Sequence, residues 1–477
     1  MDLAIALFPI ALVLVLVGLR ASMLAAGVIG AIGSAIVVYI TRGQSVGALQ
    51  VVLQEGAKGA WLGGQAASVV VGGMMFYLAL QRWSSTHPGQ KSTQFSQRRL
   101  WLVCFLVGPF IESATGYGVG GVVALSVISG MGLRGVDAVV LSLLSQILVP
   151  WGALAVGMYV GSGITHIPAM ELSYRTAVMI LPVLWIFQVH FWLTLRRLGQ
   201  SITMGQICED GFALSVFCCT LLIATRYLAP EVALFVAAGV PLVAKWMIDE
   251  RPTGATIKGA AMRALPYIIL CALLVVTRVW SPLAAALRSV GRLTPFPDVA
   301  TFSIFYSAAF WLIACATVFA LAGASPGAPR RFLRQSWTGA WRPAAVTLCF
   351  ITMAQLLIAA QAPNVIGASL KGAFGSYAVL LAPAIGSGAG LVTGSNATAV
   401  AMFMAIVVDM GKALPVWTAA LQNVAGSTFT LLSPVRVSKV CAMAELPGGE
   451  RAVYRHYAVT ALVVQGVLLL EAFALTL

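Results

Sequence analysis

Two stretches interrupt otherwise apolar chain: Phe110-Ile111-Glu112-Ser113-Ala114-Thr115-Gly116-Tyr117-Gly118 and Leu391-Val392-Thr393-Gly394-Ser395-Asn396-Ala397-Thr398. Each is rich in glycine, hydroxyl and amide groups and lies between apolar arms long enough to be helical in lipid. At membrane depth, irregular backbone survives only where protein buries it or where it lines a watery cavity. Matched breaks in two halves of a chain are the best sequence pointer to a carrier's binding site. The two stretches therefore predict hairpins at 100–131 and 372–411 whose tips share one site.

Composition sets the class. The chain is 60% hydrophobic and 9% charged, with a mean hydropathy of +0.94, where a soluble domain is usually about 25% charged. Apolar runs recur from Leu3 to Leu475, and the first, 3–19, lacks a basic leader and a cleavage site and reads as a retained helix. The net charge of +14 comes from Lys and Arg clustered in short loops, which suits membrane topology and not a surface that tracks nucleic acid. Eight scattered cysteines form no ligand spacing, so no metal or cofactor is expected.

The expected architecture is an all-α polytopic membrane protein of about 12 transmembrane helices with two re-entrant or broken hairpins in an inverted repeat. Predicted spans are 3–19, 23–40, 60–80, the hairpin 100–131, 136–160 and 175–195, then 212–228, 231–247, 264–281, 299–322, 343–361, the hairpin 372–411, 414–434 and 453–475. Loop 81–99 carries Arg82, Lys91, Arg98 and Arg99 without an acid, which places it in the cytoplasm and the N-terminus outside. Three spans precede each hairpin, and the two units start on opposite sides. Their sequences echo weakly: Ser113-Ala114-Thr115 leads to Met131-Gly132 and Gln146, and Asn396-Ala397-Thr398 leads to Met410-Gly411 and Gln422-Asn423. The expected division is 1–200 and 261–477 as repeats, joined by a helix pair in 201–260.

The tip residues suit a small organic anion, which must exchange its water for protein donors on entering the membrane. Helix ends offer unpaired backbone N–H groups and a positive dipole end. Gly116, Gly118 and Gly394 allow close backbone approach. Ser113, Thr115, Tyr117, Thr393, Ser395, Asn396 and Thr398 offer polar partners, with Ala114 and Ala397 in the same turns. Glu112 lies about twelve residues into its span, where an acid is costly unless paired or neutral. It is the expected proton-coupling group, against the alternative that it hydrogen-bonds the hairpin's own amides and never titrates. Gln146 and Asn423 could line the cavity, or bond between helices. Arg436, just past Pro434, could grip a carboxylate, as could Lys439; the alternative is a pair of snorkelling loop cations. No phosphate-binding loop and no HExxH motif is present, which argues against an ATP-driven pump and a zinc enzyme. An anion channel is the weaker alternative to a carrier.

These motifs also carry a family resemblance. Gly108–Gly118 resembles the GAFLEGAAGFGAP stretch of the bacterial L-lactate permease family, Leu391–Asn396 its FLTGSD stretch, and Leu432-Ser433-Pro434 its ISPQS segment. The chain departs from that pattern at Val119-Gly120, at Asn396 in place of an acid, and at the cations Arg436 and Lys439. The resemblance implies proton symport of L-lactate or glycolate in the bacterial inner membrane, with substrate held between hairpin tips and moved by an elevator-like shift. The expected partners are a small organic anion, protons and the lipid bilayer. Sodium coupling, exchange of another organic anion, and homo-oligomerisation stay open.

Overall fold

A computed structural model describes residues 1–86, 95–116, 118–322 and 328–477. Among them, nine helices are long and apolar enough to cross a membrane, or ten if the bent pair Gly135–Leu144 and Val149–Thr165 counts as one span. The polarity is inside-out. Phe212, Ile223, Val240, Ile248, Leu462 and Leu470 stand exposed, whereas Glu112, Gln146, Asn396 and Asn423 are buried. With that many long apolar helices and a polar interior, this is a multi-pass membrane protein.

Where the two hairpins were expected, the chain forms helix–break–helix units. The first runs through Gln97–Leu102, a π-helical turn Val103–Val107 and the arm Gly108–Thr115, then returns in Val119–Gly130. The second pairs Leu381–Thr393 with Asn396–Met410. Each hairpin is followed by a broken helix. Gly135–Leu144 is separated from Gly152–Thr165 by an irregular segment and the 3-10 turn Val149–Trp151. Pro415–Phe429 passes through the 3-10 turn Thr430–Leu432 into Pro434–Met443.

Several expected spans are redrawn. The span 136–160 is not continuous: it bends by 57° at its break. Just past that break, at the start of Gly152–Thr165, Ala153, Leu154 and Ala155 all hold positive φ, between 50° and 60°. Three successive non-glycine residues in this region are costly, and such strain persists only where packing over-determines it. The span 299–322 shortens to Ala308–Leu321, because residues 292–293 and 302–303 form a small antiparallel ladder, the one departure from an all-α chain among the described residues. The span 60–80 belongs to a 41-residue helix, Val46–Thr86. The span 343–361 is the end of Ala328–Ala359. Part of loop 81–99, residues 87–94, lies outside the described residues.

Close packing at glycine holds these elements together. Gly59 and Gly63 of Val46–Thr86 abut Thr352 and Leu348 of Ala328–Ala359; an added Cβ would sit 2.7 and 2.8 Å from their Cα atoms. The second hairpin meets its broken helix likewise, and a Cβ at Gly390 would lie 2.0 Å from the Gly426 carbonyl oxygen. Small-residue contacts of this kind drive helix association in lipid. Because the obstacle is backbone, Gly390→Ala should destabilise the protein by about 1–3 kcal/mol. Thermal unfolding in detergent checks it, with the open-facing Gly388→Ala as a control expected to be near neutral; nothing lies within 4 Å of a Cβ there.

Candidate functional site

The first tip is built around Glu112. Gly116 and Gly118 have φ of +65° and +78°, which only glycine adopts cheaply, and they reverse the chain between the arms. The returning arm begins at Val119 with no side-chain cap from Gly118. Glu112 supplies the missing acceptor: its Oε1 accepts from the Gly118 amide at 2.9 Å and its Oε2 from the Gly120 amide at 3.0 Å. A carboxylate at a helix N-terminus satisfies orphan N–H groups and faces the positive dipole end. This is the self-capping geometry weighed against proton coupling, and the side chain is 1% exposed.

The second tip is built differently. Ser395 Oγ accepts from the Thr398 amide and hydroxyl at 3.4 and 3.0 Å, capping the returning arm. Thr393 Oγ1 donates to the Ala389 carbonyl at 2.7 Å. Asn396 donates to Asn423 Oδ1 at 2.8 Å, and Asn423 in turn donates to Thr176 Oγ1 at 3.2 Å. The Asn396 carbonyl oxygen is buried without a hydrogen-bond partner.

Arg436 joins the two tips. It is half-buried on Pro434–Met443, where extended Ser433 and Pro434 redirect the chain after Leu432. Its Nε donates to the Gly394 carbonyl at 3.1 Å and its Nη1 to Gln146 Oε1 at 2.8 Å. Gln146 lies in the first broken helix and packs over the first tip, with its Oε1 3.0 Å from a Cβ built on Gly118. The guanidinium therefore points into the protein between the tips and does not snorkel. A half-buried cation beside glycine-rich tips is equipped to hold a carboxylate.

Residues 283–476 match the family model described as L-lactate permease. This segment of the chain is L-lactate-permease-like. It holds the second hairpin, Asn423 and Arg436, so the match supports the resemblance read from Leu391–Asn396 and Leu432–Pro434; the Glu112 hairpin precedes it. No curated protein matches the chain. A permease family moves solutes across membranes and is not a family of enzymes, and this one suggests lactate-type substrates.

Not every expected site residue reaches this centre equally. Ser113 and Thr115 spend their hydroxyl protons on the Phe110 and Ile111 carbonyls at 2.6 and 2.8 Å. Ala114 packs into an apolar cluster with Leu154 and Phe235, and Ala397 packs at the edge of the main core. Tyr117 lies outside the described residues. Gln146 and Asn423 do not occupy equivalent places: Gln146 is in its break, whereas Asn423 is inside a helix, before its own break. The sequence reading also missed a buried cluster. Glu231 and Arg278 pair at 2.8 Å with both side chains 4% exposed, and the Tyr159 hydroxyl bonds Glu231. Glu231 follows Pro230 at a helix start and Arg278 lies in the last turn of another helix, positions where a charge at a span end is ordinary and gives no signal in the sequence. These residues border a cavity of about 960 Å³ whose wall includes Leu154, within the strained turn.

Proposed function

We propose that the chain is a secondary active carrier for small organic anions, most simply L-lactate- or glycolate-type 2-hydroxymonocarboxylates, taken up with protons across a bacterial inner membrane. The observation that carries this reading is Arg436, bonded at once to the Gly394 carbonyl of one tip and to Gln146 beside the other. The substrate carboxylate would take the remaining guanidinium edge, with Asn396, Asn423 and the tip amides around it. Residues 1–200 and 261–477 would be inverted repeats, each ending in a hairpin, a broken helix and a terminal helix, with 201–260 linking them.

Glu112 fits a coupling role through its cap. Protonation would remove charge from an oxygen that now accepts an amide hydrogen bond, loosening the first tip while compensating the incoming anion. A monovalent anion cannot accumulate against an inside-negative potential without such a cation. In proteoliposomes, L-lactate and glycolate should accumulate under an inward proton gradient and not under a sodium gradient alone. Glu112→Gln should keep anion exchange and lose accumulation driven by the proton gradient. Accumulation by Glu112→Gln under an acidic exterior would move coupling elsewhere, and sodium-driven uptake by the unaltered protein would replace the proton.

A further inference from the structure

We infer that Arg288, held on the ring of Tyr306, is a recruiting site for small carboxylates in the mouth of the large cavity. The inference rests on the reading of the chain as an organic-anion carrier. Two guanidiniums flank the Tyr306 ring, Arg278 at 4.5 Å and Arg288 at 4.4 Å from its centroid. They are used very differently.

Arg278 is committed to structure. Its Nε meets Glu231 at 2.8 Å, its Nη1 the Thr277 hydroxyl at 2.6 Å and its Nη2 the Tyr306 carbonyl at 2.7 Å. Its charge is offset by Glu231. Arg288 is exposed and makes one side-chain hydrogen bond, from Nη2 to the Tyr306 hydroxyl at 2.8 Å. Among the described residues, no carboxylate lies within ion-pair distance of it. Asp298, the other acid bordering the cavity, is 2.5 Å from Lys58, which also holds Glu55 at 2.7 Å. The cation–π contact and the phenol bond hold the Arg288 guanidinium against the ring, and with one Nη2 hydrogen used the other two-donor edge is left for a carboxylate fork.

The cavity gives that fork a purpose. Arg288, Tyr306, Arg278, Tyr159 and Leu154 all border the same volume of about 960 Å³. Leu154 follows Ala153, the residue that a Cβ on Gly116 at the first tip would strike at 2.5 Å. A carboxylate at Arg288 therefore stands in a space whose wall reaches Leu154, next to the residue packed on the first tip. The space is far larger than a three-carbon acid, so the site should concentrate anions and release them readily, acting on capture more than on the later translocation step.

Two readouts test this on Arg288→Gln, with Arg288→Lys as the charge-retaining control. The KM for L-lactate uptake should rise about five- to tenfold with Vmax within about twofold, and Arg288→Lys should restore part of the loss. Independently of transport, Ser307→Cys on the cavity wall is labelled with anionic sulfonatoethyl methanethiosulfonate and with neutral methyl methanethiosulfonate, read by mass of the peptide carrying residue 307. Arg288→Gln should lower the anionic-to-neutral rate ratio at least about threefold at low salt and less at high salt. An unchanged ratio overturns the recruiting site, whatever happens to uptake. If the unaltered protein carries no 2-hydroxymonocarboxylate, the carrier reading for that substrate class fails, and the labelling ratio still decides the site.

Discussion

Replacing Arg436 with alanine should lower L-lactate uptake by about a hundredfold at subsaturating substrate. A charge-assisted, partly desolvated carboxylate contact contributes about 2–3 kcal/mol, and each 1.4 kcal/mol is a factor of ten. The substitution also removes the bonds to Gly394 and Gln146, so a loss of activity could reflect a displaced tip. Arg436→Lys separates the two causes. It keeps a charge but cannot donate in two directions from a rigid plane. Binding should then weaken less than in the alanine variant, while the melting temperatures of both stay within a few degrees of the unaltered protein. Uptake by Arg436→Ala at the normal rate would remove Arg436 from the binding centre.

The second large effect is on stability. Arg278→Met should destabilise the protein by about 3–5 kcal/mol, because Glu231 would be left buried with its charge uncompensated. Glu231→Gln combined with Arg278→Met should recover much of that loss, since a buried pair is itself costly to desolvate. Tyr159→Phe removes one hydrogen bond and should cost only about 1 kcal/mol. Thermal unfolding of the four detergent-purified proteins checks the ordering. A double variant as unstable as Arg278→Met alone would show that packing around Arg278, not its charge, holds these helices together.

The hairpins were legible because their signal is local. Glycine, hydroxyl and amide residues within apolar runs contradict a continuous lipid-facing helix, and Gly116, Gly118 and Gly394 do reverse the chain at those points. The left-handed turn just after Gly152 carries no such mark. Ala153, Leu154 and Ala155 have ordinary helix propensity, and only packing against Gly116 accompanies their left-handed conformation. Residues 299–307 failed for the opposite reason: their apolar character resembles a span, yet pairing of 292–293 with 302–303 draws the region into a turn.

The same division runs through the candidate site. Sequence by itself determined that this chain lives in a membrane, that Glu112 and the two tips are its anomalies, and that Arg436 follows a helix-breaking Ser433-Pro434. Those conclusions follow from the cost of polar groups in lipid, which depends on residue type and run length. Only the tertiary structure decided what the polar groups do. Glu112 turned back onto Gly118 and Gly120, Arg436 reached Gln146 across 290 positions of chain, and Glu231 found Arg278 and Tyr159. Arg436 and Glu231 satisfy their charges with partners far along the chain, and even Glu112's partners, six and eight residues on, come within reach only because the chain reverses at Gly116 and Gly118; no local pattern encodes which partner folding will bring within about 3 Å.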